Sequence, residues 1–475
     1  MVSVERFHRV IPCEPTPGGK LSLSSFDQYR LYTHIPLLHI YRSKSIHHHH
    51  DDASVTLMET LTNSLSKALV HYYPLAGRLC AIHGGRWELN CNSMGVHLFE
   101  AHYQPTTTKT TTLDDFALTQ LLQQQLMPKI PYNPPIEDMP LLVIQLTSFP
   151  CGGLTLGVAI SRVVLDGVGF MVFLNSWAKL ARGENLDPSE IPCYDRALLN
   201  LSRVHILQRF QFHHPEFQPP PLWVGSFLVD DTKYDTIIEV FKLTKAQVQK
   251  LKERVLIDFG NGNSPQQNCT SFEVISGLLW RCVCKARFAG NGDQPTRVST
   301  LVHCRNRLKP PVPNSYFGNV VLPTVTRTCT FDDVIYKPLS YAVGNIREAL
   351  RRLTDEYIRS ALQYIADQKD VSVVRNNVNF NVASAGGQFR GNPSLSIVSW
   401  MNFPFQDADF GWGKPVYLLP GNINSEGKAF IMNNGNGDAD GECIIVAICL
   451  LASNMDAFKK FFYEDVAEVL SSSKL

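Results

Sequence analysis

The chain has 475 residues, of which 44% are hydrophobic and 18% are charged. This length fits two or three domains, and the composition can fill a large core, which excludes a disordered chain. The formal net charge of +1 excludes a general electrostatic attraction to nucleic acid or to an anionic membrane, so an anionic ligand must be held by local charges.

The first twelve residues, MVSVERFHRVIP, lack the apolar region of a secretory signal, and no stretch has the length and apolarity of a membrane span. The 12 cysteines are scattered between Cys13 and Cys449 without a CxxC pair, which argues against a disulfide framework. We therefore expect a cytoplasmic protein with reduced thiols.

Three patterns predict the elements of the N-terminal half. Residues 54–73 carry apolar side chains at helical spacing and end before Pro74, which predicts a helix. LTLGVAI (154–160) alternates large apolar residues with small ones, which predicts a strand, and the apolar stretch 168–181 predicts a helix. Residues 184–225 are then rich in Pro, Asn and His, which predicts a long crossover between domains.

Strands and helices continue to alternate in the C-terminal half, where Thr270 and Glu273 have the spacing of a capping box. The patterns predict, in chain order, a strand over 237–243, a helix from about 244, a helix from 270 to Ala289, a helix over 341–368, strands over 395–403 and 442–450, and a helix over 454–470. The class is therefore α/β or mixed, in two halves over 1–183 and 226–475 that the crossover 184–225 joins.

The segment after the strand 154–160 carries the sharpest chemical pattern. Alternation places Arg162 on the same face as Ile160, where the strand ends and before a tight turn at Asp166 and Gly167. A polar side chain at such a position can do chemistry at a cleft. Spacing alone, however, favours a structural ion pair between Arg162 and Asp166 that fixes the turn, and both interpretations stay open.

This segment, SRVVLDG, resembles the HxxxDG segment of plant BAHD acyltransferases, with Arg162 at the position of the family's histidine. DFGWG (409–413) is similar to the second signature of that family. Further similar segments follow in family order: YYPLAGR (72–78), TSFEVISGLLWRC (270–282), CRNRLKPPVPNSYFGN (304–319) and NPSLSIVSW (392–400). The resemblance covers essentially the whole chain, and its local texture is most similar to the spermidine hydroxycinnamoyl transferases, which make phenolic amides.

The resemblance implies an α/β fold of two chloramphenicol-acetyltransferase-like domains with a substrate tunnel at their interface. It implies transfer of an acyl group from acyl-CoA to an amine or hydroxyl of a plant specialised metabolite, of the phenolic amide or alkaloid type. Acyl-CoA would be a co-substrate, with no bound cofactor. The family precedent is a monomer, and no nucleic-acid or membrane partner is expected.

The family's histidine is the general base that takes a proton from the acceptor. A base must hold a lone pair near working pH, whereas guanidinium has no acceptor site and a pKa above 12. Arg162 therefore cannot inherit this role. The resemblance also implies that Asp166 shapes the turn and pairs with an arginine, which here could be Arg162 itself. It further implies that the indole N–H of Trp400 faces the tetrahedral intermediate, as an oxyanion stabiliser would.

Several outcomes follow for such a site. Acyl transfer can continue without a base, most easily to an amine that is partly deprotonated, or His39 can serve as a substitute base. Alternatively, the protein is a lyase or cyclase that uses Arg162 to anchor a carboxylate. An arginine introduced artificially at position 162 would give the same sequence pattern.

Two further groups of residues are candidates for ligand sites. Thr270 and Ser271 lie at a predicted helix N-terminus and could contact the phosphates or pantetheine of acyl-CoA. The run from His47 to His50, followed by Asp51 and Asp52, lacks the spacing of a metal site, and we expect a solvated loop without a metal.

Overall fold

A computed structural model describes residues 1–42, 52–104, 124–199, 212–224, 235–259, 268–379, 393–421, 423, 425–433 and 443–471. The predicted loop at 47–52 lies outside these residues except for its last position.

The described strands form two six-stranded sheets and two small ones. The strands are β1 (Val2–Val10), β2 (Lys20–Ser22), β3 (His34–Tyr41), β4 (Arg78–Ile82), β5 (Arg86–Asn90), β6 (Val96–Tyr103), β7 (Leu142–Ser148), β8 (Leu154–Ser161), β9 (Thr236–Thr244), β10 (Pro295–Thr296), β11 (Val298–His303), β12 (Val321–Val325), β13 (Cys329–Thr330), β14 (Leu395–Ser399), β15 (Tyr417–Pro420), β16 (Lys428–Asn433) and β17 (Cys443–Leu451). The first large sheet has the order β1-β6-β7-β8-β3-β15, and the second has the order β12-β11-β14-β16-β17-β9.

The helices of the described residues cover both large sheets. They are α1 (Ser25–Gln28), α2 (Asp52–His71), α3 (Gly167–Ala181), α4 (Lys245–Asp258), α5 (Ser271–Arg287), α6 (Phe331–Tyr336), α7 (Leu339–Arg351), α8 (Asp355–Ala366), α9 (Ser372–Val378) and α10 (Ala452–Ser471). Helices α2 and α3 pack together beside the first sheet, and α4, α5, α7 and α10 pack beside the second. The mixed α/β class predicted from the sequence is confirmed.

Most predicted elements are present within a few residues of their expected bounds. The expected helix over 341–368 is wrong, because the chain breaks between α7 and α8, where the Thr354 hydroxyl accepts a hydrogen bond from the Tyr357 N–H and begins a new helix. The expected strand over 395–403 ends at Ser399 and continues as a turn. The helix that begins at the Thr270 capping box ends at Arg287 rather than Ala289.

The second sheet is buried on both faces, as its side-chain alternation requires. In β16, Ala429 and Ile431 belong to the core beneath α5 and α10, whereas Phe430 and Met432 belong to the core that also contains α3 and β8. Lys428 shares the face of Phe430. This face of the second sheet therefore looks toward the N-terminal half of the chain.

One strand of the C-terminal half also joins the first sheet. β15 comes from the C-terminal half but pairs antiparallel with β3 at the edge of the first sheet, with Leu418 opposite His39. The first sheet is therefore completed by residues that lie far away in sequence, and the segment between β14 and β15, which contains DFGWG, passes from one sheet to the other.

Candidate active site

The end of β8 and the turn after it are held by both halves of the chain. The Arg162 N–H donates to the carbonyl of Thr33 at 2.9 Å. The side-chain amide of Asn319 donates to the carbonyls of Arg162 and Val163 at 3.1 and 3.0 Å, and to the carboxylate of Asp27 at 2.9 Å. The backbone at Arg162 is therefore fixed at the boundary between the two halves.

Asp166 is the N-cap of α3, and its partner is Arg305 rather than Arg162. Its Oδ1 accepts from the Gly169 N–H at 2.9 Å, and its Oδ2 accepts from the Val320 N–H and from Arg305 Nη1, both at 2.7 Å. Burial alone would raise the pKa of this carboxyl, but the charge and hydrogen bond of Arg305, together with the two backbone donors, lower it. The expected local pair with Arg162 is wrong, because α3 and Arg305 already use both oxygens.

Arg162 instead borders a cavity between the sheets, and we call this the Arg162 cavity. Its described lining residues include four basic residues and one carboxylate: Arg30, Arg162, Arg297, Lys428 and Glu216. Burial, followed by the charge of Arg30, lowers the pKa of Arg162 to about 10, so the guanidinium remains a cation at neutral pH. Among the described residues, its side chain has no hydrogen-bond or ion-pair partner.

Lys428 faces Arg162 from the second sheet. Burial, followed by the charges of Arg162 and Arg30, lowers the pKa of its ammonium group to about 7. Its Nζ lies 5.3 Å from the centre of the Phe430 ring, and within the described part of the chain it has no ion-pair or hydrogen-bond partner. Sequence reasoning missed Lys428, because its only signal was a lysine that opens an apolar strand.

A second cavity, the Phe403 cavity, lies at the other end of the same strands. It has a volume of about 730 Å³, and its lining includes Lys245, Lys252, Ser271, Phe403 and Asn433. β14 and β16 are parallel neighbours that run from the Arg162 cavity, at Ser396 and Lys428, to the Phe403 cavity, at Met401 and Asn433.

Trp400 lies between the two cavities. Its ring stacks on Phe403 with a centroid distance of 5.9 Å and meets Phe430 edge-on at 4.7 Å. Phe403 in turn packs against Gly167, where an added Cβ would lie 2.3 Å from the Phe403 ring. Glycine is therefore required at the start of α3, and Phe403 connects Trp400 to the turn over 162–167.

The histidine predicted as a substitute base lies elsewhere. His39 is fully buried in β3, opposite Leu156 and Leu418, roughly 20 Å along the strand from the level of Arg162 at about 3.3 Å per residue. Burial lowers its pKa to about 3, and neither ring nitrogen has a partner among the described residues. The structure thus does not bring His39 to Arg162.

His34 lies closer, because it pairs with Ser161 in the β3–β8 ladder. Its Nε2 contacts the carbonyl of Pro140 at 2.8 Å, so this nitrogen carries the proton, and its Nδ1 accepts from the Tyr132 hydroxyl at 3.2 Å. Its pKa is lowered to about 4, mainly by burial and in part by the charge of Arg162. Both nitrogens are occupied, so His34 positions Tyr132 and holds no lone pair for a substrate.

Of the two residues expected to contact acyl-CoA, one borders a cavity. Ser271 lines the Phe403 cavity at the N-terminus of α5. The Thr270 hydroxyl accepts from the Glu273 N–H at 3.2 Å, and the Thr270 N–H donates to the Glu273 carboxylate at 2.9 Å. Thr270 therefore forms the predicted capping box and fixes the start of the helix.

The DFGWG segment packs against α3 and does not line either cavity. Asp409 Oδ1 accepts from the N–H groups of Gly411 and Gly413, both at 2.9 Å. Phe410 meets Trp177 edge-on at 4.7 Å and stacks on Trp412 at 5.1 Å. These contacts are structural and attach the segment between β14 and β15 to the N-terminal half.

Within the residues that the structure describes, no group of three or more His, Cys, Asp or Glu side chains is arranged to hold a metal ion. In the same part of the chain, no helix combines the length and apolarity needed to cross a membrane.

Comparison with known proteins extends the similarity over the full length. The model of the Transferase family matches residues 1–465. The chain is 37% identical to the hydroxycinnamoyl-CoA:piscidic acid hydroxycinnamoyltransferase of Actaea racemosa over 98% of this chain and all of that protein. It is 36% identical to the shikimate O-hydroxycinnamoyltransferase of Nicotiana tabacum, over 98% of this chain and 99% of that protein. These relatives support acyl transfer and not the lyase or cyclase alternative.

Solved structures share the fold. Vinorine synthase superposes with a TM-score of 0.67 at 22% identity, over 96% of each chain. TRI101 of F. sporotrichioides, complexed with coenzyme A and T-2, superposes with a TM-score of 0.70 at 18% identity, over 93% of this chain and 97% of that chain. The two-domain fold predicted from the resemblance is thereby confirmed. This chain belongs to the BAHD transferase family and is an acyltransferase that uses acyl-CoA as co-substrate and a hydroxyl or amine as acceptor.

Proposed function

We propose that this protein transfers a hydroxycinnamoyl group from CoA to the hydroxyl or amine of a small acceptor that carries a carboxylate. The observation that carries this proposal is the charge of the Arg162 cavity, where three arginines and one lysine face one carboxylate, Glu216. The names of two relatives, which act on piscidic acid and shikimate, point to the same acceptor chemistry.

The basic side chains of the Arg162 cavity differ in how many hydrogen bonds they already donate within the protein. Arg297 already donates to the carbonyls of Pro215 and Gln218 at 3.2 and 3.1 Å. The guanidinium of Arg162 has no such partner among the described residues, and Arg30 has a buried Nε without one. A carboxylate that enters the cavity can therefore form charge-assisted hydrogen bonds with Arg162 and Arg30, and guanidinium offers it a bidentate geometry.

The same charges disfavour a polyamine. The local texture of the sequence suggested spermidine as acceptor, but spermidine would bring several positive charges beside Arg30 and Arg162. Repulsion inside a cavity is stronger than in water, because the surrounding protein screens charges poorly. The Arg162 cavity is also small, at about 100 Å³, which favours a compact acceptor.

The test compares acceptors of different charge, of which an acid and its amide form a matched pair. A small 2-hydroxy acid, its primary amide and spermidine are each incubated with a hydroxycinnamoyl-CoA, and release of free CoA is followed. We expect kcat/KM for the acid to exceed that for the amide by roughly 100-fold, since hydrogen bonds to charged groups contribute about 1.5–3 kcal/mol each. Equal turnover of acid and amide, or a preference for spermidine, would contradict the proposal.

We further propose that the Phe403 cavity receives the CoA part of the donor. Lys245 and Lys252 supply positive charge for its phosphates, and Ser271 adds a hydroxyl at the N-terminus of α5, where the helix dipole favours an anion. The thioester would then lie between Trp400 and Arg162. In this arrangement Trp400 stabilises the oxyanion, while Asp166 keeps the turn in place.

A lysine substitution tests this placement. In Lys252→Met we expect the KM for acyl-CoA to rise about 5- to 10-fold with little change in kcat, because an interaction with phosphate that is equally strong in the ground state and the transition state affects only binding. The KM for the acceptor should stay constant. Lys460→Met, at an exposed lysine of α10, is the matched control, and an equal rise in that variant would contradict the placement.

We also infer that the enzyme acts as a monomer in the cytoplasm. The support is the family precedent and the 12 cysteines, none of which is paired in a disulfide. Light scattering on the purified protein should give a mass near 53.3 kDa, and a dimer mass would contradict the monomer.

A further inference from the structure

A general base accelerates acyl transfer to a hydroxyl, and the position where the resemblance expects one holds Arg162. The described lining of the Arg162 cavity contains no histidine. His34 uses both ring nitrogens, and His39 lies away from the cavity. The one carboxylate of the lining, Glu216, already accepts from the Tyr357 hydroxyl at 2.7 Å and contacts His214 at 3.1 Å.

Among the described lining residues, Lys428 is the remaining side chain that can take up a proton near neutral pH. It begins β16, on the face of the second sheet that looks toward the first sheet. Its Nζ leans along the strand to within 5.3 Å of the Phe430 ring centre, and that ring meets Trp400 at 4.7 Å. The amine thus points along β16 toward Phe430 and, beyond that ring, toward Trp400.

The surroundings of Lys428 hold few groups that would keep its proton. From the first half of the chain, Arg162 and Arg30 face it and lower its pKa, in addition to burial, to about 7. From β17, Cys449 is its pairing partner and raises the pKa. From β14, the paired residue is the uncharged Ser396, while Arg297 and Glu216 line other parts of the cavity.

We propose that Lys428, as a free amine, is the general base of this enzyme, and that Arg162 and Arg30, which line the same cavity, hold the acceptor. A neighbouring cation is an established physical means of making a lysine amine available. The permanent charge of Arg162, which prevents it from acting as a base, thereby makes a base of the lysine that faces it.

The reaction balances without any further reactant. The Lys428 amine takes the proton of the acceptor O–H or N–H as that oxygen or nitrogen bonds to the thioester carbon. Collapse of the tetrahedral intermediate breaks the C–S bond, and the proton passes from the Lys428 ammonium to the departing CoA sulfur. The products are the ester or amide and CoA, and the neutral amine is restored.

This inference rests on the proposed acceptor site, because the base must face the acceptor, but the two fail differently. If Lys428 only helped to anchor a carboxylate, Lys428→Arg would keep the activity and Lys428→Met would mainly raise the acceptor KM. If Lys428 is the base, both variants lose kcat, since neither a thioether nor a guanidinium can take up a proton at neutral pH.

The experiment measures kcat and kcat/KM for CoA release from pH 5.5 to 9.5. We expect wild-type kcat/KM to rise with pH through a single ionisation near 7, and kcat to follow an ionisation at higher pH, because a bound carboxylate stabilises the Lys428 ammonium. Lys428→Met and Lys428→Arg should lose about 10²–10⁴-fold in kcat together with this ionisation. Lys460→Met is the surface control.

Two further measurements test the proposal even if Lys428→Met or Lys428→Arg folds poorly. Arg162→Gln removes one of the charges that lower the Lys428 pKa, so the ionisation in kcat/KM should move to higher pH. Small primary amines added to Lys428→Ala should restore part of the rate in proportion to their neutral form. The proposal is overturned if kcat and its pH dependence survive in Lys428→Met, or if Arg162→Gln leaves the ionisation unmoved.

Discussion

Replacing Arg305 with methionine is expected to lower the free energy of unfolding by about 3–5 kcal/mol, the usual effect of removing one member of a buried ion pair. Asp166 and Arg305 are 1% and 0% exposed, so the substitution leaves a carboxylate without its counter-charge inside the protein. Arg305 also donates to the carbonyls of Tyr316 and Gly318 at 3.4 and 3.3 Å. The measurement is urea unfolding at pH 7.5, followed by tryptophan fluorescence and circular dichroism.

The pH dependence separates this cause from a general packing defect. In the wild type the pKa of Asp166 is lowered, so its contribution to stability is present above the unfolded value near 4 and is lost as the pH falls further. Without Arg305, burial raises that pKa, so Asp166 takes up a proton on acidification and the destabilising buried charge is removed. The difference in the free energy of unfolding between wild type and variant should therefore decrease from pH 7.5 to pH 5.

Two controls accompany this prediction. Arg254→Met removes an exposed partner of Asp258 and should change stability by less than about 0.5 kcal/mol. Adding Asp166→Asn to Arg305→Met should recover part of the loss, because asparagine still caps α3 without a buried charge. An Arg305→Met protein that is as stable as the Arg254→Met protein would refute the role of the pair.

Local patterns in the sequence predicted much of the fold. The strand over 154–160, the helix from 168 to 181 and the capping box at Thr270 depend on neighbouring residues, so their signals lie within a short window. The break between α7 and α8 was missed because the apolar period continues across it, and only the cap at Thr354 marks the new start.

The site was less predictable, because its contacts join distant parts of the chain. The Arg305–Asp166 pair spans 139 positions, and the Asn319–Asp27 bond spans 292. Spacing suggested Arg162 as the partner of Asp166, since it is the nearer arginine in sequence. The charge that surrounds Lys428 likewise comes from Arg30 and Arg162, which only the packing of the two sheets brings together.

The second large effect is expected when Arg162 is replaced with histidine, the residue that the family resemblance expects at this position. We predict that this substitution lowers kcat/KM for an acidic acceptor about 10- to 100-fold at pH 7, although it supplies an imidazole base. Imidazole is shorter than guanidinium, is largely neutral at this pH and cannot hold a carboxylate in a bidentate fork. It also removes a fixed charge that lowers the pKa of Lys428.

The uncharged amide of the same acceptor makes this prediction specific. It has no carboxylate to lose, so its kcat/KM should change much less, and the preference for the acid should fall from about 100-fold toward parity. Arg162→Lys keeps the positive charge but not the bidentate geometry, so its preference for the acid should lie between those of the wild type and of Arg162→His. If Arg162→His instead raises the rate with the acid, then histidine is the better residue for this chemistry, and the pairing of Arg162 with a carboxylate acceptor is wrong.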